Sequence, residues 1–138
     1  MTHACKAVVI RCIDFRIKPT AVSDLLVKIG YPEGSYDTVS LAGAAKCLLS
    51  PKAGESEMLL SQIEISSRLH CISEVVVLYH DNCGAYGIDD PVLEETTQLS
   101  DLSVVKAKIN ERFPDLAVKL YIIKGVSVGN LRLESVTV

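Results

Sequence analysis

A chain of 138 residues, 49% of them hydrophobic and without a low-complexity run, can bury one sizeable core and is read as a single domain over 1–138. A formal net charge of -3 with interspersed signs argues against nucleic-acid binding, and no apolar stretch approaches the ~18 residues a membrane-spanning helix needs. Five cysteines, an odd number, behind an N-terminus too soon charged for a signal peptide, point to a cytoplasmic protein with free or metal-bound thiols.

"KAVVIRC" (6–12) is an apolar run bounded by charge, the pattern of a strand buried on both faces. "IKPTAVSDLLVKIG" places Ala21, Val22, Leu25, Leu26 and Ile29 on one helical face, with Pro19 near its start and Gly30 just past its end. "YPEGSYD" reads as a loop, and "TVSLAGAA" as a short second strand running into a turn of small residues. After "SPKAG" a longer helix is predicted over Glu55–Leu69, with Leu59, Ile63 and Ile65 on its core face. "SEVVVLYH" (73–80), rich in β-branched residues, is the clearest strand. A helix over Pro91–Phe113 stops at "RFPD", "AVKLYIIKGV" is another strand, and "VGN" turns the chain into a last strand, "LRLESV". This alternation predicts an α/β fold: a mostly parallel central β-sheet flanked by helices, with a C-terminal strand-turn-strand.

In such sheets ligands bind outside the carboxyl ends of the strands, where strand order reverses. "CIDFR" (12–16) and "HDNC" (80–83) each fall at such an end, and they meet in space if their strands are neighbours. Alone, His80-x-x-Cys83 is a common spacing and Cys12 a small hydrophobe. Together the three supply two thiolates and an imidazole, a set suited to tetrahedral zinc with one position left open, as in catalytic sites. Cys5, Cys47 and Cys71 lie at the wrong end, or in the wrong kind of element, to complete the set. They are read as core or surface thiols, and His3 and His70 as bystanders. Asp14 is placed to accept a hydrogen bond from zinc-bound water, and Arg16 to hold that carboxylate in a bidentate pair. Without Cys12 nearby, the same two residues would be a surface ion pair worth little.

Cys12-x-Asp14-x-Arg16 after the first strand and His80-x-x-Cys83-Gly84 after a later one, in that order, resemble the β-class carbonic anhydrases. "SLAGAA" sits where that family carries an alanine-glycine turn, and "YIIKGVSVGNLRLESV" is similar to its closing strand, turn and strand. The resemblance implies one Zn2+ per chain on Cys12, His80 and Cys83, with Asp14 and Arg16 as the catalytic dyad. It implies a small pocket for carbon dioxide beside Ala42, Gly43 and Gly84, with Ala44 and Val39 as further candidate walls. The activity implied is that of a lyase, the reversible hydration of carbon dioxide to bicarbonate by zinc-bound hydroxide, in a homodimer. In some members the aspartate takes the fourth zinc position in an inactive form, and whether Asp14 does so is left open by the sequence.

The chain also departs from that pattern. Ser40-Leu41 precede Ala42-Gly43 where the family usually has arginine-asparagine, and Ala85, Tyr86 and Gly87 replace a more glycine-rich continuation. The first predicted strand begins almost at Met1, leaving no room for the helical arm with which family members wrap a partner. Two rival readings follow: a related zinc hydrolase acting on carbonyl sulfide or carbon disulfide, and a zinc-binding domain without turnover. A cysteine phosphatase needs a longer cradle than Cys12 to Arg16 provides, and no G-x-G-x-x-G opens the first helix for a dinucleotide.

Overall fold

The computed structural model describes residues 3–138. In chain order these form β1 (Ala7–Cys12), α1 (Pro19–Lys28), β2 (Tyr36–Leu41), a 3-10 segment (Ala44–Leu49), α2 (Glu55–His70) and β3 (Glu74–His80). They continue as α3 (Pro91–Arg112), β4 (Ala117–Lys124), a short 3-10 turn (Val126–Val128) and β5 (Arg132–Val136). One sheet of order β2-β1-β3-β4-β5 results, parallel throughout except for the antiparallel pair β4–β5. The fold is the expected α/β arrangement, with its strand-turn-strand at the C-terminal end.

The core follows from the alternation of side chains along the buried strands. Ala7 and Val9 of β1 and Val76 and Leu78 of β3 face α1, where Val22, Leu25 and Leu26 are buried. Val8, Ile10, Val75 and Val77 face the other way, onto Leu59 and Ile63 of α2 and Leu102, Val105 and Ile109 of α3. All six residues of β1 are buried, the charged Arg11 included, its guanidinium donating to the Ile17 carbonyl at 2.7 Å. Asp90 caps α3, its Oδ1 accepting from the N–H groups of Val92 at 2.9 Å and Leu93 at 3.0 Å, directly ahead of Pro91.

Three details differ from expectation. β2 starts at Tyr36, inside the segment read as loop, because its first residues pair with Ala7 and Val8 of β1. The 3-10 segment after Gly43 carries no periodic signal of its own, yet it buries Ala44, Ala45 and Leu48. On α2, Ile65 is 37% exposed while Ser66 is buried. At about 100° per residue, position 66 returns to the azimuth of Leu59 and position 65 points away from it.

β2 lies on one side of β1 and β3 on the other, so strand order reverses between β1 and β3. The carboxyl ends of those two strands, Cys12 and His80, therefore open onto one crevice. Among the described residues no helix is long and apolar enough to cross a membrane.

Candidate metal centre

Parallel pairing of β1 with β3 carries Cys12 and His80 to the same end of the sheet. The turn after β3 then brings Cys83 back to them. One ligand atom from each of Cys12, His80 and Cys83 lies within 4.8 Å of the others, and all three residues are buried. His80 Nδ1 stands 2.7 Å from the carbonyl oxygen of Asp81, which makes it the donor nitrogen and leaves the lone pair on Nε2. Nε2 is buried and has no hydrogen-bond partner among the described residues. An imidazole nitrogen orphaned between two thiols is what a divalent ion bound there would satisfy. Two sulfurs and one nitrogen fit zinc and do not fit calcium or magnesium, which take oxygen ligands.

The two thiols share one proton. Hydrogen bonding from Cys83, helped by the Gly43 N–H at 3.4 Å, holds Cys12 far below the ordinary thiol range. The same shared proton, together with burial, pushes Cys83 up. Gly43 makes that N–H contact possible. Its φ is +73°, and a Cβ there would stand 3.0 Å from Lys46 Cβ and 3.2 Å from Ala85 Cβ.

The turn that carries Cys83 is held from α3. Glu94 is 4% exposed, and its carboxylate accepts from the backbone N–H of Asn82 at 2.7 Å and of Cys83 at 2.9 Å. Gln98 Nε2 donates to the His80 carbonyl at 2.8 Å. Asp81 accepts from the N–H groups of Gly125 at 2.8 Å and Val126 at 3.0 Å, tying the same turn to the end of β4. Replacing Glu94 by Gln turns one acceptor into a donor facing a donor. We expect destabilisation by about 1–3 kcal/mol and zinc affinity lower by about 10–100-fold, measured by denaturant unfolding and by competition with a chelator. Unchanged values for both would show that α3 does not set the turn.

Asp14 and Arg16 form a bidentate pair, with Nε to Oδ1 at 3.0 Å and Nη2 to Oδ2 at 2.7 Å. The Arg16 backbone N–H donates to the same Oδ1 at 2.9 Å. Arg16 is clamped from its far side by Asn82, with Nη1 to Oδ1 at 2.6 Å and Nη2 to the backbone oxygen at 2.8 Å. The Arg16 guanidinium holds the Asp14 carboxyl at about 2, below the usual carboxylate range. Asp14 Oδ2 is 3.8 Å from the orphaned His80 Nε2. The acid thus borders the ligand cluster while its charge is engaged by Arg16.

A cavity of about 570 Å³ opens over this group, lined by Cys12, Asp14, Arg16, Cys83, Ala42 and Gly84, with Ile13, Phe15 and Ile88 among its apolar wall. Ala42 and Gly84, expected beside substrate, line it. Gly43, expected with them, does not, because it is buried behind Ala42 and turns its N–H to Cys12. Ala44, taken as a further wall, is fully buried in the core, and Val39 borders a different hollow near Asp37. Tyr86, a departure from the glycine-rich continuation, packs on Tyr79 with centroids 5.9 Å apart and donates to Asp101 Oδ2 at 2.7 Å.

Cys47 and Cys71 are free thiols that join neither of the metal-compatible clusters among the described residues. Asn82, Glu94 and Gln98 went unnoticed in the sequence. Only the Asp90-Pro91 helix start, which puts Glu94 and Gln98 one turn apart on one face, could have drawn attention to them.

A family model described as "Putative carbonic anhydrase" matches residues 2–132. An uncharacterized protein of Rickettsia conorii is 32% identical over 121 residues, covering 82% of this chain and 64% of its own length. The chain thus spans just under two thirds of that relative. The solved β-carbonic anhydrase CcaA superposes with a TM-score of 0.63 at 14% identity, covering 99% of this chain and 78% of that one. A chain from the crystal structures of two tetrameric β-carbonic anhydrases of Sordaria macrospora gives 0.58 at 14% identity, with 99% of this chain and 82% of that one covered. At such identities the structures share a fold.

Proposed function

The chain belongs to the β-carbonic-anhydrase-like family, and on that premise we propose that it hydrates carbon dioxide reversibly to bicarbonate, using one zinc ion on Cys12, His80 and Cys83. The observation that carries this reading is the buried, unpartnered His80 Nε2 between two thiols, with the Asp14–Arg16 pair beside it. Held by two thiolates and one imidazole, zinc would supply Lewis-acid activation of water, less strongly than a three-imidazole site because the thiolates cancel its charge.

The chain's own groups do the orienting. Asp14 accepts the hydrogen of the attacking water, so that an oxygen lone pair faces the substrate carbon. Arg16, anchored by Asn82, keeps Asp14 ionised and engages both of its oxygens beside the ligand cluster. Ala42 and Gly84 offer small walls on which a linear, apolar gas can lie. The bicarbonate proton count balances when one proton leaves to solvent for each molecule hydrated.

We read residues 1–138 as one such domain, working as a homodimer in the cytoplasm. The rim of the cavity supports the dimer, because Ile13 is 61% and Phe15 89% exposed there, apolar surface that a second subunit would cover. Five free cysteines support a reducing compartment.

Stopped-flow hydration by the zinc-loaded protein tests the reading. Because Asp14 is ionised across the neutral range, the profile should contain no aspartate limb and should climb from about pH 6.5 to about 9. Catalysis above buffer with that slope is the expected result. Stoichiometric zinc without carbon dioxide turnover would move the substrate to carbonyl sulfide or carbon disulfide. Inertness toward those gases as well would leave a binding domain.

A further inference from the structure

Cys5, read from the sequence as a core or surface thiol, and His70, read as a bystander, come together at the opposite end of the sheet. Cys5 lies two residues before the start of β1, Asp37 is the second residue of β2, and His70 ends α2. One ligand atom from each of the three lies within 4.8 Å of the others. The Cys5 backbone N–H donates to the His70 carbonyl at 2.9 Å, and Val8 of β1 pairs in register with Asp37. The three side chains are therefore carried by backbone that is itself hydrogen-bonded. His70 Nδ1 is 2.6 Å from Asp37 Oδ2, and the buried Ser66 hydroxyl donates to the same oxygen at 2.6 Å.

We propose that Cys5, Asp37 and His70 form a second zinc site, independent of the one at Cys12, which pins the start of β1 to β2 and the end of α2. The donor set is one thiolate, one imidazole and one carboxylate, each a zinc ligand in its own right, and its sulfur disfavours calcium and magnesium. Bonds of about 2.0–2.3 Å in a tetrahedron put neighbouring donors roughly 3.3–3.8 Å apart. His70 and Asp37 need to part by less than about 1 Å to reach that separation, and the second Asp37 oxygen gives an alternative contact. Ser66 supplies the outer hydrogen bond that fixes a ligating carboxylate. A hollow of about 260 Å³ is bordered by Asp37, Ser66, His70 and Gln62, so the carboxylate and the imidazole can be reached from solvent. On binding, the Cys5 thiol proton passes to solvent and the imidazole proton moves to the other ring nitrogen, so uptake releases acid.

The same residue types also make a cysteine-histidine-aspartate relay, which the geometry disfavours. A relay places the imidazole between thiol and carboxylate, holding those two groups further apart than the 4.8 Å within which Cys5 and Asp37 lie.

The test is zinc stoichiometry after equilibrium dialysis of the full chain, with circular dichroism as the folding control. The wild type should hold two equivalents. Cys5→Ser and His70→Ala should each hold one at the same free zinc, with the second site weakened more than the roughly 10–100-fold that outer-shell changes cost. A Cys12→Ser/Cys83→Ser protein should also hold one, so that loss of either site is seen separately. The proposal is overturned if Cys5→Ser and His70→Ala keep the wild-type stoichiometry, or if the folded Cys12→Ser/Cys83→Ser protein holds none. Should the variants fail to fold, alkylation of wild-type Cys5 by iodoacetamide, read by mass spectrometry, decides the matter. Zinc should slow it at least about tenfold relative to chelator-treated protein, and equal rates would refute the site.

Discussion

Cys83→Ser is expected to lose one equivalent of zinc per chain and, with it, all hydration activity. Serine keeps the volume but offers a hydroxyl in place of the soft, ionisable sulfur that zinc takes as a ligand. Affinity should fall by more than the 10–100-fold typical of outer-shell changes. A ligand present at 1,000 times its Kd stabilises the folded chain by about 4 kcal/mol, on the order of 10 °C in Tm for a chain of this size. Wild-type protein should accordingly melt lower after chelation, and the variant should melt below the zinc-loaded wild type with a smaller response to added zinc. Cys71→Ser is the control, since that thiol is exposed and joins no cluster. A Cys83→Ser protein that kept full zinc content and activity would remove the turn after β3 from the site.

The second large effect is at Asp14. Asp14→Asn should lower turnover by about 100-fold, the scale of a misplaced reacting group, while zinc content stays at the wild-type value. The amide cannot satisfy Arg16, because its NH2 would face the Nε or Nη2 donor that a carboxylate oxygen now accepts. Loss of zinc in this variant would show that Asp14 serves as a ligand instead of an orienting acceptor.

Arg16→Gln separates the two halves of the pair. Without the guanidinium, the Asp14 carboxyl should rise from about 2 toward its ordinary value near 4. Asp14 Oδ2, already 3.8 Å from His80 Nε2, would then be free to approach the ligand cluster. Turnover should fall in this variant too, and the double variant should lose less than the product of the single losses, because the residues act as one unit. The sign of the pH effect on stability follows from the depressed carboxyl. The pair stabilises the fold fully above the unfolded carboxyl value near 4, and that contribution is lost as pH falls through about 2. It is therefore constant over the range in which hydration is measured.

The strand-end motifs were legible because their signals are local. "KAVVIRC" and "SEVVVLYH" announce buried strands by composition alone, and Cys12 and His80 occupy the final positions of β1 and β3. Reading Cys12, Asp14, Arg16, His80 and Cys83 as one group needed only the assumption that those two strands are neighbours, which the parallel β1–β3 pairing satisfies. Ile65 and the start of β2 were misjudged for the converse reason. Facing and strand ends are set by what packs opposite, and a run of a few residues does not encode that.

The order of elements, the α/β class and the identity of the donor atoms can be read from short segments, because hydrophobic period and side-chain chemistry are local properties. How those donors are held is a matter of packing between distant segments. Arg16 is clamped by Asn82, 66 positions away, and the Cys83 turn by Glu94 from the first turn of α3. Gly43 proved to be a donor to Cys12 instead of a pocket wall, and Cys5, Asp37 and His70 became one cluster. Each depends on which strands lie side by side and on how a helix is rotated over them. Those are outcomes of packing the whole core, fixed by contacts between residues distant in the chain.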